Sequence, residues 1–248
     1  KTDQTERFLA SELIREQVFC KVVGERKGLA KLLSFGKNGL KHAPLCPPDA
    51  LAFLSLPLDG KLIFNSILAI TEKEDPRDTE QFREGLKQIN AAAGIDIEAV
   101  LIGALQGEAA LWVLKPAGPE PIPGLAVAFE TKDAATAKVA AEALAKLLNT
   151  LIQQPLPSSE IAGHACWSLD QKLLGKVGND IPYSLTWCAD GARLLAASSP
   201  ESLKQVLDRA ASKAAGLDTH PDFQKLLANV PEAERGGILY INTPELAA

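Results

Sequence analysis

The sequence predicts an α+β fold, an antiparallel sheet with helices packed mainly on one face, in two similar halves. Three observations carry this reading. Short apolar runs bounded by Gly, Pro and Asp recur along the chain and read as strands. Between them lie stretches with apolar residues at helical spacing, each opened by a Ser, Thr or Asp able to cap a helix. Ala and Leu, both strong helix formers, number 37 each among 248 residues and concentrate in those stretches.

The elements follow in order. Thr5 caps a predicted helix through Phe8, Leu9, Leu13 and Ile14 towards Phe19. Residues 1–46 thus form an N-terminal helical segment. The first 41 residues hold nine basic and five acidic groups, a net +4 that reads as a solvated helix face. Cys46-Pro47-Pro48-Asp49 breaks the chain, and the α+β domain, 47–248, begins there. Ala50–Leu56 reads as a strand ended by Pro57, and Lys61–Ile70 fits strand or helix. Asp78 or Thr79 caps a helix whose stripe is Phe82, Leu86, Ile89 and Ala93, with Gly94 as its stop. Strands follow at Glu108–Leu114 and Gly124–Phe129. In the second, Leu125, Val127 and Phe129 face away from Ala126 and Ala128.

Thr131 or Asp133 opens the longest helix, to about Ile152, with Ala140, Leu144, Leu147, Leu148 and Leu151 as its buried side. Its alanines would let it lie close against a sheet. Gln153–Ser159 is the internal boundary. Beyond it Ile161–Leu169, Tyr183–Cys188 and Arg193–Ser198 read as strands, with a hairpin turn at Ala189-Asp190-Gly191. Ser199-Pro200-Glu201 starts a helix with a cap, a proline at the first helical position and an acid in the first turn. His220-Pro221-Asp222 starts another, through Phe223, Leu226 and Leu227, and Gly237–Ile241 is the last strand. The second half repeats the order of the first, which predicts an internal repeat of 47–152 and 160–248.

Composition narrows the function. Hydrophobic residues are 46%, charged residues 23% and the net charge is −5. An acidic chain lacks the basic field that nucleic acids require. No run is long and apolar enough for a membrane span. Methionine is absent even at position 1, so the chain reads as processed or truncated, and no signal peptide is visible.

The run Pro48-Asp49-Ala50-Leu51-Ala52-Phe53, then Gly94-Ile95-Asp96-Ile97-Glu98, then Leu105–Trp112 with Gly107-Glu108-Ala109-Ala110, resembles a bacterial family of exported, lipoprotein-like domains of unknown function. Further matches are Asp133, Ala197-Ser198-Ser199-Pro200-Glu201 and Pro221-Asp222-Phe223. The resemblance covers about residues 47–246. It implies an α+β fold and an envelope or periplasmic address, and it implies no catalytic residues.

The sequence contains no nucleophile elbow, zinc-protease helix, phosphate loop, Cys-x-x-Cys or dinucleotide fingerprint. His42, His164 and His220 lie far apart. The acidic stretch of Glu72, Glu74, Asp75, Asp78 and Glu80 lacks the order of a calcium site and reads as a solvated loop. One constellation remains. His164, Cys166 and Ser168 share one face of a predicted strand, and Ser184, Thr186 and Cys188 share one face of the next. Paired, they set thiols beside an imidazole, as thiol nucleophiles require. The alternative is the solvated side of a sheet, with Trp167 and Trp187 on the core side. The four cysteines allow three pairings, among them Cys166–Cys188 with Cys20–Cys46. A Cys166–Cys188 bridge closes roughly 20 residues and adds about 3 kcal/mol on chain-entropy grounds.

The expected function is a non-enzymatic binding or structural role in the bacterial envelope, with a protein or small-molecule partner and no metal or cofactor. The alternatives are a hydrolase or thiol enzyme using Cys166 or Cys188 with His164, a carrier of an apolar ligand held between helices and sheet, and a cytoplasmic address.

Overall fold

The structure is a computed structural model that describes residues 39–116, 122–173, 183–230 and 236–246. The predicted Thr5–Phe19 helix and Cys20 lie outside them. After a 3-10 turn at Ala43–Leu45 come β1 (Ala52–Asp59), α1 (Gly60–Glu74), α2 (Pro76–Ala93) and α3 (Ile97–Val100). A 3-10 turn at Ile102–Ala104 leads to β2 (Gln106–Leu114), β3 (Gly124–Glu130) and α4 (Ala134–Ile152). Then follow β4 (Ser158–Ile161), β5 (His164–Leu169), β6 (Leu185–Asp190), β7 (Arg193–Ala197), α5 (Pro200–Ser212), α6 (Pro221–Ala228), β8 (Ile238–Ile241) and α7 (Thr243–Leu246).

The fold is α+β, as predicted. All eight strands form one sheet in the order β4-β5-β6-β7-β3-β2-β1-β8, and every neighbouring pair is antiparallel. Residues 47–152 and 160–248 therefore share one sheet, joined where β3 pairs with β7.

Each face of the sheet carries a core. On the first, Phe53, Trp112, Ala126, Ala128, Cys166, Cys188 and Leu195 pack with Leu203, Val206 and Leu207 of α5 and with Phe223 of α6. On the second, Trp187 and Leu194 pack with Ala141 and Ala145 of α4. Helices α2 and α3 touch α4, and α1 lies against α2, so the larger helix group is on this side. The alternation predicted for β3 holds, since Ala126 and Ala128 are buried and Leu125, Val127 and Phe129 are half-buried.

Local chemistry explains where the sequence reading and the structure part. Lys61–Ile70 is helical because the Asp59 carboxylate accepts from the Leu62 amide, 2.9 Å, and starts α1. The cap of α2 is Asp75, not Asp78 or Thr79, with Pro76 at the first helical position. The acidic stretch is thus a helix junction and not a loop. Phe82, predicted in the buried stripe of α2, is exposed and meets Phe64 of α1 at 6.2 Å. Strand β1 runs through Pro57 because β8 pairs only with Ala52–Ser55, which leaves Pro57 on an edge. The predicted strand Ile161–Leu169 is two strands, because Ala162 and Gly163 both have positive φ and make a two-residue hairpin turn. In α4 the buried contact is made by Ala137, Ala140, Ala141 and Ala145, whereas Leu151 is exposed. Small side chains let the helix approach the sheet closely.

Candidate functional site

Strands β5 and β6 bring the predicted constellation together. Cys166 lies directly opposite Cys188, and Ser168 opposite Thr186. The Ser168 and Thr186 hydroxyls are 3.1 Å apart, and Ser184 Oγ donates to the Ser198 carbonyl at 3.1 Å. This face is not the solvated one. Cys166, Cys188 and Thr186 have no exposed surface, and α5 packs against β6 and β7 on this face.

The Cys166 thiol donates to the His164 carbonyl at 3.3 Å and lies opposite Cys188 in the β5–β6 register. Interaction with the Cys166 thiol, together with burial, pushes the Cys188 thiol up. Interaction with Cys188 holds Cys166 below the usual thiol range, against the opposing effect of burial. The His164 ring points elsewhere. Its Nδ1–H donates to the Ala189 carbonyl at 3.1 Å, and Nε2 is 4.0 Å from Asp190 Oδ1, itself paired with Arg193. Among the described residues no hydrogen bond joins this ring to either thiol. The imidazole–thiol relay of a cysteine nucleophile is therefore not assembled in this arrangement. Cys46 is a separate buried thiol, pushed up by desolvation, that donates to the Pro47 carbonyl.

A second polar cluster escaped the sequence reading. Glu108 of β2 is buried on the Trp112 side of the strand. Its carboxylate accepts from the Lys41 amide at 2.6 Å, the His42 amide at 3.2 Å and the Ser55 hydroxyl at 2.8 Å. Glu130 accepts the Glu108 amide at 3.1 Å and pairs with the Lys41 ammonium. Gly107 makes room for this: its φ is +99°, and a Cβ there would sit 2.3 Å from Glu130 Oε2. The available signal was a glutamate in register with Trp112 on a strand whose alternate positions are apolar.

His42 is buried, with Nε2 3.2 Å from the Glu108 carbonyl and Nδ1 without a partner among the described residues. The ring is thus neutral, with Nε2–H donating. Burial lowers its pKa against the pull of Glu108 and Glu130, and Arg193 lowers it further. The unfolded chain then binds the extra proton first, below about pH 6.5. Stability is full above that pH and falls as pH drops towards the folded value, by at most about 1.4 kcal/mol per pH unit. A His42→Gln variant should show a flatter fall in urea midpoint between pH 7 and 5. Parallel profiles would refute the assignment.

Two apolar features complete the inventory. A cleft of about 450 Å³ opens between α4 and the β4–β5 and β6–β7 turns, lined in part by Ala141, Ala165, Trp167 and Ala189 with His164 at its side. The other is the part of the second sheet face that no described helix covers. One row there runs Leu239, Leu54, Leu111, Val127, and the next runs Ile241, Ala52, Val113, Leu125. Leu239, Ile241 and Leu111 are 61%, 51% and 40% exposed. No described helix is long and apolar enough to cross a membrane, and no described cluster of His, Cys, Asp and Glu could hold a metal ion.

Fold and sites together define an antiparallel α+β domain whose single sheet carries helices on both faces. Compared with known protein families, with curated proteins and with solved structures, the chain matches none.

Proposed function

We propose that this chain is a non-enzymatic binding protein of the bacterial envelope, and that it docks an amphipathic helix of a partner protein on the open part of its sheet. The observation that carries this is the exposed apolar surface of Leu111, Leu239 and Ile241, contiguous with half-buried Leu54, Val113, Leu125 and Val127. Contiguous apolar surface of this kind marks interaction sites. Its size suits the occupant. Four strands at about 4.8 Å spacing make a strip about 15 Å wide, room for one helix of about 10–12 Å diameter. Helix α4 already lies in this way on the neighbouring part of the same face. The envelope address rests on the resemblance of the capping and turn motifs. The non-enzymatic reading is supported by thiols sealed from solvent and a His164 ring directed at Ala189.

The test uses a synthetic helical peptide with a Leu and Phe stripe, and the same residues scrambled. Methyl NMR should show shifts at Leu111, Leu239 and Ile241 with the striped peptide. Leu239→Asp should weaken binding at least tenfold, about the loss for an interface anchor, with the urea midpoint unchanged. Equal binding of both peptides, shifts placed elsewhere, or shifts that follow protein concentration without peptide would each refute the proposal.

A further inference from the structure

We infer that Cys166 and Cys188 are a dithiol couple that closes to an intramolecular disulfide by exchange with a small-molecule disulfide such as oxidised glutathione. Placement is the first argument. The two residues are direct partners in the β5–β6 ladder, so their thiols lie side by side on the same face of the sheet, both in the first core. Opposed residues of an antiparallel pair have Cα atoms about 4.5 or 5.5 Å apart. Both separations fall within the roughly 4.4–6.8 Å a disulfide spans. The register therefore places the two residues within reach of a bond with only a small local adjustment of the strands. Cys46, the other described cysteine, is engaged with the Pro47 carbonyl on the 3-10 turn.

Access is the second argument. Both sulfurs are buried, but β5 has only the four-residue β4 between it and the sheet edge, and Ser158, Ser159 and Glu160 of β4 are exposed. Short edge strands with little buried surface open locally at low cost. Opening β4 uncovers Cys166 first, while Cys188 stays one strand further in.

The order of steps follows. Cys166 loses its proton and attacks one sulfur of the oxidant, whose other half leaves as a thiolate and takes up a proton. Cys188 then loses its proton and attacks the Cys166 sulfur of the mixed disulfide, expelling the second half as a thiol. In sum, two protein thiols are oxidised to one disulfide and one oxidant disulfide is reduced to two thiols. The product ties the β4–β5 hairpin to the centre of the sheet. This is independent of the docking surface, which lies at the opposite end.

The experiment incubates the folded chain with oxidised glutathione at neutral pH, quenches with acid, unfolds, alkylates and counts adducts by intact mass. Two of the four thiols should be lost. A peptide map without reductant should contain a Cys166–Cys188 linkage, and dithiothreitol should restore all four. In Cys188→Ser, glutathione should remain on Cys166; in Cys166→Ser, Cys188 should remain free. The wild-type map decides the matter even if a variant fails to fold. Any wild-type product set lacking that linked peptide overturns the inference, whether all thiols persist or Cys20 or Cys46 reacts instead.

Discussion

Trp187→Ala should lower the free energy of unfolding by about 3–5 kcal/mol, the range for deleting a fully buried aromatic ring. Trp187 has no exposed surface and sits between β6 and α4. Its ring stacks on Trp167 with centroids 6.4 Å apart. Its Nε1–H donates to the Ala141 carbonyl at 3.1 Å, which fastens the helix to the sheet. The neighbours cannot collapse into the space, because Ala141 and Ala145 are already at close approach and carry no longer side chain to move inwards. Trp187→Phe keeps most of the ring and loses the donor, so it should cost about 1 kcal/mol. Urea titrations followed by circular dichroism measure both. A loss below about 1 kcal/mol for Trp187→Ala would mean that α4 is not held by this ring.

The same contact shows what the sequence made legible. The cap of α4 at Asp133, the Ser199-Pro200 start of α5 and the alternation along β3 are local patterns, each satisfied by atoms a few residues apart. They could be read without knowing the partners. The buried side of α4 was legible in part: Ala140 is buried and Leu144 and Leu148 pack against the second core, but Leu151 is exposed and the closest contacts are made by Ala137, Ala141 and Ala145.

The reading of the Ser184, Thr186 and Cys188 face as solvated is corrected on the same ground. Ser184, Thr186 and Cys188 alternate with Tyr183, Leu185 and Trp187, as in a strand with one wet side. Strand β6 is instead covered on both faces, with Thr186, Trp187 and Cys188 buried in succession. Cysteine and threonine are small enough, and weakly enough polar, to line a core once hydroxyls pair as Ser168 and Thr186 do. That Cys166 and Cys188 share a face was legible from alternation along each strand, whereas their register was not, because residues 170–184 separate β5 from β6. The direction of the His164 ring was not, because its acceptor, Ala189, lies 25 residues away.

Glu108→Ala should cost about 4 kcal/mol, from three donors orphaned at about 1–3 kcal/mol each and partly recovered by water. Its carboxylate is the only group on β2 that reaches residues 41–42 and β1 at once among the hydrogen bonds described. Those donors come from places 53 to 67 residues away in sequence, which is why no local pattern announced them. Removing the carboxylate should release the stretch from Lys41 to Cys46, and with it the cover that Ala43, Leu45 and Cys46 give to the first core. Amide hydrogen exchange at Lys41 and His42 should therefore rise in the variant while that of β6 and β7 stays slow. Glu108→Gln keeps an acceptor oxygen and should fall between. The pairing with Ser55 gives a sharper check, since Ser55→Ala should cost about 1 kcal/mol in the wild type and almost nothing in Glu108→Ala. Additive losses, or unchanged exchange at His42, would show that the first core holds these residues without help from the buried carboxylate.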